Sequence, residues 1–283
     1  MKTKIDVVKT LLDALPYIKK FANEKIVIKY GGSAQTSEVL KQQFAQDIVL
    51  LHTVGMKPII VHGGGKSITD LLSDLGVDTK FVEGQRVTTK EVMRIAEMVL
   101  SGEINKDIVS LLNNQGGSAI GISGKDANLL EAIPKDFENF GYTGVIQNVN
   151  PKVINNIIDD GFVPVVAPIA SAPTIDHPGF NINADFAASK IAIALEARKI
   201  LFLTDTEGVL DKDMKLLRNL DIQETEAYKA DGTIGGGMVP KVDACVEALR
   251  GGVKKAHIID GRLEHSILLE ILTSAGIGTC IQL

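Results

Sequence analysis

The chain has 283 residues, 45% of them hydrophobic and 23% charged, with a net charge of −5. That is the balance of a globular protein with core enough for one or two α/β domains. No apolar run approaches the ~18 residues that cross a bilayer, and an acidic chain without a dense basic run is not expected to bind nucleic acid or a membrane.

Met1 to Phe21 mixes acidic and basic residues and has no secretory pattern. Cys245 and Cys280 form no metal-ligand or redox motif, so a cytoplasmic location with reduced thiols is expected. Within residues 1–22, Ile5, Val8, Leu11, Leu12, Leu15, Ile18 and Phe21 recur at helical intervals. They predict an amphipathic helix, kinked or split by Pro16. Its apolar face needs cover from its own domain or from another subunit.

Ile26-Val27-Ile28 reads as a strand covered on both faces, as in a parallel sheet between helices. It ends in Lys29-Tyr30-Gly31-Gly32-Ser33. Glycines there let backbone N–H groups approach an anion closely, and Lys29 sits where its ammonium reaches the same space. The plainer alternative is a strand-to-helix turn with a solvated lysine. After a helix over 38–54, the pattern repeats: Pro58-Ile59-Ile60-Val61-His62 runs into Gly63-Gly64-Gly65 and a helix over 67–75. The carboxyl ends of parallel strands share one edge, so both glycine turns are expected to line one crevice.

Phe81 to Thr88 is β-prone and carries Arg86, either a surface arginine or a guanidinium that holds a carboxylate. Helices are expected over 90–101 and 104–113, a strand and turn over 118–126 and a small hairpin over 140–146. A helix over 153–160 and a strand over 162–168 follow. Asn181-Ile182-Asn183-Ala184-Asp185 then precedes an alanine-rich helix over 186–196, a place where Asn and Asp also serve as caps.

A strand from Ile200 runs into the turn Thr204-Asp205-Thr206-Glu207-Gly208-Val209, and a helix over 222–230 leads to Thr233-Ile234-Gly235-Gly236-Gly237. Lys241 opens a helix over 242–250, against the dipole preference, and a nearby anion would resolve the conflict. A strand over 256–261, a helix over 265–274 and a short strand over 278–281 end the chain.

Three glycine turns, two lysines and an aspartate suit phosphoryl transfer, which relies on positioning and electrostatic stabilisation. No cluster fits G-x-x-x-x-G-K-[ST], and no G-x-G-x-x-G precedes a ribose-binding acid. The five histidines have no metal-ligand spacing, so no protein-bound metal is expected.

Four runs, Ile28 to Ser33, Val61 to Gly65, Asn181 to Asp185 and Gly235 to Lys241, together resemble the amino-acid kinase family. The resemblance covers nearly the whole chain and is strongest to the branch that phosphorylates N-acetyl-L-glutamate in arginine biosynthesis. It implies an open, mostly parallel β-sheet sandwiched between helices in three αβα layers. It also implies a leading helix over 1–22, a lobe over 23–180 for N-acetylglutamate and a lobe over 181–283 for ATP.

In that family likeness Lys29 and Lys241 would stabilise charge on the moving phosphoryl group, and Asp185 would hold both lysines. Backbone N–H groups of Gly31, Gly32, Gly64 and Gly65 would grip the substrate carboxylate and the phosphate, while Arg86 and Asn181 hold the rest of the acceptor. Thr204, Asp205, Thr206, Glu207, Gly208 and Val209, with Thr233, Ile234 and Gly235, would hold ATP, whose phosphates carry Mg²⁺.

Lys66 and Ser67 depart from the proline and acidic residue that many relatives have after the triple glycine. The leading helix resembles that of the arginine-inhibited branch, a homohexamer built as a trimer of dimers, with L-arginine bound near the helix and the C-terminal segment. A kinase for another carboxylate or carbamate, and a non-catalytic effector-binding protein on the same fold, are the alternatives.

Overall fold

A computed structural model describes residues 4–35, 37–82, 84–174 and 176–283. Met1 to Thr3, at the head of the expected leading helix, and Glu83, near Arg86, lie outside the described residues.

Helix α1 (Lys4–Phe21) leads to strand β1 (Lys25–Tyr30), a 3₁₀ turn, α2 (Glu38–Thr53) and β2 (Lys57–His62). Next come α3 (Gly65–Asp74), β3 (Lys80–Val82), β4 (Gln85–Val87), α4 (Lys90–Glu97), a π-helical stretch (Met98–Ile104) and α5 (Asn105–Asn114). The first half closes with β5 (Ala119–Gly124), β6 (Leu130–Pro134), α6 (Phe137–Phe140), β7 (Gly144–Val149), α7 (Pro151–Asp159) and β8 (Val163–Ala170). The second half holds β9 (Phe180–Asn181), α8 (Ala184–Ala194), β10 (Lys199–Thr204), β11 (Asn219–Asp221) and α9 (Ile222–Ala230). It ends with α10 (Met238–Arg250), β12 (Lys255–Asp260), α11 (Ser266–Leu272) and β13 (Thr279–Gln282).

The main sheet runs β11-β13-β12-β10-β1-β2-β8-β5, with β9 added against β8. Its pairs are parallel except β12 with β13 and β8 with β9. This is the open, mostly parallel sheet between helices that the sequence predicts.

Strand β1 lies at its middle, with Lys29 level with Phe202 on one side and Val61 on the other. Period-two alternation sends Val27 into one core, with α8 and α10, and Ile26 and Ile28 into the other, with α2. All three are fully buried, each contributing about 1.5–3 kcal/mol of burial free energy.

Helix α1 runs through Pro16 as one element instead of splitting there. Pro16 and Leu12, whose carbonyl loses its helical donor there, are both exposed, which leaves that carbonyl open to water. Only the end of α1 docks, through buried Phe21 and Tyr17. Ile5, Val8, Leu11 and Leu12 are 53–66% exposed, so the apolar stripe finds no cover on its own domain.

The hairpin expected over 140–146 is larger than the pattern indicates. Strand β7 pairs antiparallel with β6, and α6 occupies the connection. Leu130–Pro134 is too short, and too abruptly ended by proline, to show a strand period by itself. The helix expected over 90–101 also changes hand-over point, becoming π-helical from Met98. Among the described residues no helix is long and apolar enough to cross a membrane.

Candidate active site

Parallel pairing of β1 with β2 sets Tyr30 level with His62, so the two glycine turns leave the same sheet edge side by side. Gly31, Gly32, Gly63, Gly64 and Gly65 line one cleft together with Lys29, Arg86, Asn181 and Asp185. Gly32 has φ +68°, a region that glycine enters without steric cost. A Cβ on Gly64 would run into the Ile104 and Leu100 side chains of the π-helical stretch. Gly65 opens α3, so the first N–H groups there lack intrahelical acceptors and form a partly positive end.

At the centre is Asp185, in the first turn of α8. The cap of α8 is Asn183, whose Oδ1 accepts the N–H groups of Asp185 at 2.8 Å and Phe186 at 3.4 Å. Asp185 is therefore not spent on capping. One of its oxygens lies 3.0 Å from Lys29 Nζ and the other 3.0 Å from Lys241 Nζ. These residues are 156 and 56 positions from Asp185 in the chain, a juxtaposition made by α8 lying over β1 and α10 packing beside α8.

Burial disfavours the Asp185 charge, yet the two ammoniums outweigh it and hold the carboxyl below the usual carboxylate range. Burial pulls Lys29 below its ordinary value; Asp185 opposes that shift and Lys241 reinforces it. Two ammoniums against one carboxylate leave a positive charge without a partner in this trio. Buried ion pairs add little net stability, so an unbalanced trio at a cleft that Lys29 and Asp185 line points to an anionic ligand.

Arg86 adds a second positive group. It donates from Nη1 to Thr79 Oγ1 at 2.7 Å and from Nη2 to Gly65 O at 2.8 Å and Thr69 Oγ1 at 2.7 Å. The guanidinium lies 4.7 Å from the Phe81 ring centroid. Burial lowers its pKa, and among the described residues no carboxylate forms an ion pair with it. Asn181 Nδ2 donates to Thr88 Oγ1 at 3.2 Å, and Thr143 ties Thr88 to the Arg86 carbonyl. Strand β9 and strand β4 are thus braced against each other.

Thr204 ends β10, and its carbonyl accepts the Gly261 N–H at 2.8 Å. Asp205 accepts from the Thr204 hydroxyl, and the Thr206 hydroxyl donates to the Gly208 carbonyl. Glu207 lies in the same turn, while Gly208 takes φ +149°. The Val209 N–H donates to Thr279 Oγ1 at 2.8 Å. Thr233 N–H bonds Asp231 at 2.9 Å, Ile234 N–H bonds the Tyr228 carbonyl at 2.8 Å, and the Gly235 carbonyl accepts from Met238.

Val209 and Ile234 are buried in one core, so their side chains serve packing. None of these nine residues lines the cleft that contains Arg86 and Asn181.

Sequence reasoning missed the cap role specific to Asn183, the threonines that aim Arg86 and the apolar lining from Ile68, Phe81, Leu100 and Ile182. The Asn183-Ala184-Asp185 spacing carried a signal for the cap. The others meet only through tertiary contacts. Among the described residues no group of three or more His, Cys, Asp or Glu could hold a metal ion.

The amino acid kinase family model matches residues 24–260. The acetylglutamate kinase of a Sulfurovum species is 77% identical over 283 residues, all of both chains. That of a Nitratiruptor species is 66% identical over 279 residues, 99% of this chain and 98% of its own. Among solved structures, N-acetylglutamate synthase from Neisseria gonorrhoeae, complexed with coenzyme A and N-acetyl-glutamate, superposes with a TM-score of 0.86 at 24% identity. The match covers 98% of this chain and 63% of the synthase, so the present chain spans under two thirds of that protein. Carbamate kinase from Giardia lamblia bound to AMP-PNP gives 0.70 at 17% identity, over 92% of this chain and 99% of its own.

Replacing Asp185 with Asn removes the attraction that opposes burial at Lys29, so Lys29 will lose its proton at lower pH. The alkaline limb of the turnover–pH profile is expected to move to lower pH, with neutral-pH kcat down at least about 10-fold. An unmoved limb would show that the Lys29 charge is not what the limb reports.

Proposed function

Because the chain belongs to the amino acid kinase family and is therefore an enzyme of that family, we propose the following reaction. It transfers the γ-phosphoryl group of ATP to the side-chain carboxylate of N-acetyl-L-glutamate, yielding N-acetyl-L-glutamyl 5-phosphate and ADP. This is the second step of arginine biosynthesis, carried out in the cytoplasm. The observation that carries the reading is the Lys29–Asp185–Lys241 trio, 3.0 Å at each contact, two of whose members, Lys29 and Asp185, line a cleft with the glycines. The full-length relatives named acetylglutamate kinase support the acceptor.

The acceptor oxygen attacks phosphorus as the bond to the ADP oxygen breaks, and negative charge spreads over the moving group. Lys29 and Lys241 meet that charge from two sides, while Asp185 keeps them apart and aligned. N–H groups of Gly31, Gly32, Gly64 and Gly65 hold the reacting carboxylate and phosphate, and Arg86 with Asn181 holds the α-carboxylate end. Residues 23–180 form the acceptor lobe and 181–283 the nucleotide lobe. ATP is held by Thr204 to Val209 and by Thr233 to Gly235, with Mg²⁺ on its phosphates supplying further charge neutralisation.

Helix α1 is, in this proposal, an assembly helix joining dimers into a hexamer inhibited by L-arginine. Its uncovered apolar stripe supports that role. At its docked end the Lys199 ammonium lies 4.7 Å from the Phe21 ring centroid, near the buried His257–Glu270 pair, 2.7 Å apart. Charged groups therefore sit where α1 meets the C-terminal segment.

ADP formation with MgATP and a panel of acceptors tests the reaction. Turnover is expected on N-acetylglutamate and not on aspartate, glutamate or carbamate; a folded protein inactive on N-acetylglutamate sinks the reading. Lys241→Ala is expected to lower kcat by about 10²–10³, the cost of one lost transition-state donor, and a near-normal rate would remove Lys241 from catalysis. Deleting residues 1–22 should leave dimers in light scattering and abolish arginine inhibition, and inhibition that survives the deletion refutes the regulatory role of α1.

A further inference from the structure

His62 ends strand β2 immediately before the triple glycine and is fully buried, as is Asn105 at the start of α5. Its ring nitrogens face two different partners. Nδ1 lies 3.0 Å from the carbonyl oxygen of Gly63, and Nε2 lies 3.3 Å from Asn105 Nδ2.

The chemistry of these partners determines the tautomer. Asn105 Nδ2 also points at two backbone carbonyls, Val165 O at 3.0 Å and Ile122 O at 3.3 Å. Asn105 Oδ1 accepts from Lys106 Nζ at 2.9 Å. The atom facing His62 is therefore the amide NH₂, a donor only, and Nε2 has to be the acceptor. A carbonyl oxygen accepts only, so Nδ1 has to carry the proton. Burial favours the same neutral ring, pushing its pKa down to about 4.

This arrangement has a geometric consequence for the loop. The Gly63 carbonyl is held by Nδ1, with Gln35 Nε2 behind it at 3.5 Å, and the Gly63 N–H is tied to the Tyr30 carbonyl at 2.8 Å. In a planar trans peptide the C=O and the following N–H point in opposite directions. Holding the Gly63 oxygen on the His62 side turns the Gly64 N–H to the other side, and Gly64 lines the cleft. The terminal methyl groups of Ile104 and Leu100 close against Gly64 and would have to shift to admit a Cβ.

We propose that His62 is a positioning residue for phosphoryl transfer: as the Nδ1-protonated neutral tautomer it holds the Gly63 carbonyl and thereby aims the Gly64 N–H at the substrate. The proposal rests on the reading of Gly64 as a ligand-binding amide given above. A buried histidine with a packing role alone would keep the same tautomer but show no link to kcat.

Two measurements on the full chain test it. In the wild-type protein with ¹⁵N-labelled histidine, the His62 signals, identified by their loss in His62→Asn, should show a protonated Nδ1 and an unprotonated Nε2 from pH 6 to 8. A protonated Nε2 overturns the proposal whatever the activity.

In kinetics, His62→Asn places an amide donor near the Nδ1 position, whereas His62→Leu offers none. Asn is expected to hold kcat within about 3-fold, and Leu to lower kcat about 10–100-fold with the ATP KM little changed, part of the effect of losing an oriented donor outright. Equal kcat in the two folded variants overturns the positioning role. Wild-type protein inactive on N-acetylglutamate sinks the functional reading instead, so the two failures differ. If His62→Leu does not fold, His62→Gln, whose longer side chain carries its amide past the Nδ1 position, takes its place, with the same loss of kcat expected and a kcat equal to that of His62→Asn overturning the role.

Discussion

Two ammonium groups held together in a protein interior repel each other, by about 3 kcal/mol for unit charges about 5 Å apart at an effective dielectric near 20. Asp185 is what makes the arrangement tenable here, with one oxygen for Lys29 and one for Lys241. The rest of the fold serves that contact. Strand β1 delivers Lys29 from the centre of the sheet, the Asn183 cap starts α8 so that Asp185 faces the cleft, and α10 brings Lys241 across. Because two ammoniums meet one carboxylate, the balance of the trio is positive and suited to an anion.

Around this centre most of the groups suited to an anion are backbone amides. Glycines matter at Gly32 for its positive φ and at Gly64 for its closeness to Ile104 and Leu100. Arg86 follows a related logic, since neutral oxygens of Gly65, Thr69 and Thr79 orient the guanidinium without cancelling its charge. An arginine paired with a carboxylate would be better solvated but less able to attract a second anion. Lys66, directly after the triple glycine, pairs with Asp70 on the exposed face of α3.

The periphery obeys different physics. Helix α1 leaves large apolar side chains exposed while its end is anchored by Phe21, an arrangement that is costly to leave uncovered. The sheet centre is saturated with buried residues, whereas this helix is a stripe without a groove.

The grouping of Lys29, Asp185 and Lys241 came from the resemblance to the amino-acid kinase family, whereas the chain itself determined the glycine turns and most of the main-sheet strands, because β-branched runs and glycine punctuation are local signals. It also determined that both glycine turns share an edge, since parallel strands have only one carboxyl end. Tertiary structure alone decided which oxygen of Asp185 each lysine meets, that Thr69 and Thr79 aim Arg86, and that the paired strand of β7 is β6. Those contacts join residues distant in sequence, and no periodicity records them. The tautomer of His62 belongs to the same class: a histidine before three glycines is visible in the chain, but which nitrogen carries the proton depends on Asn105, brought from another helix.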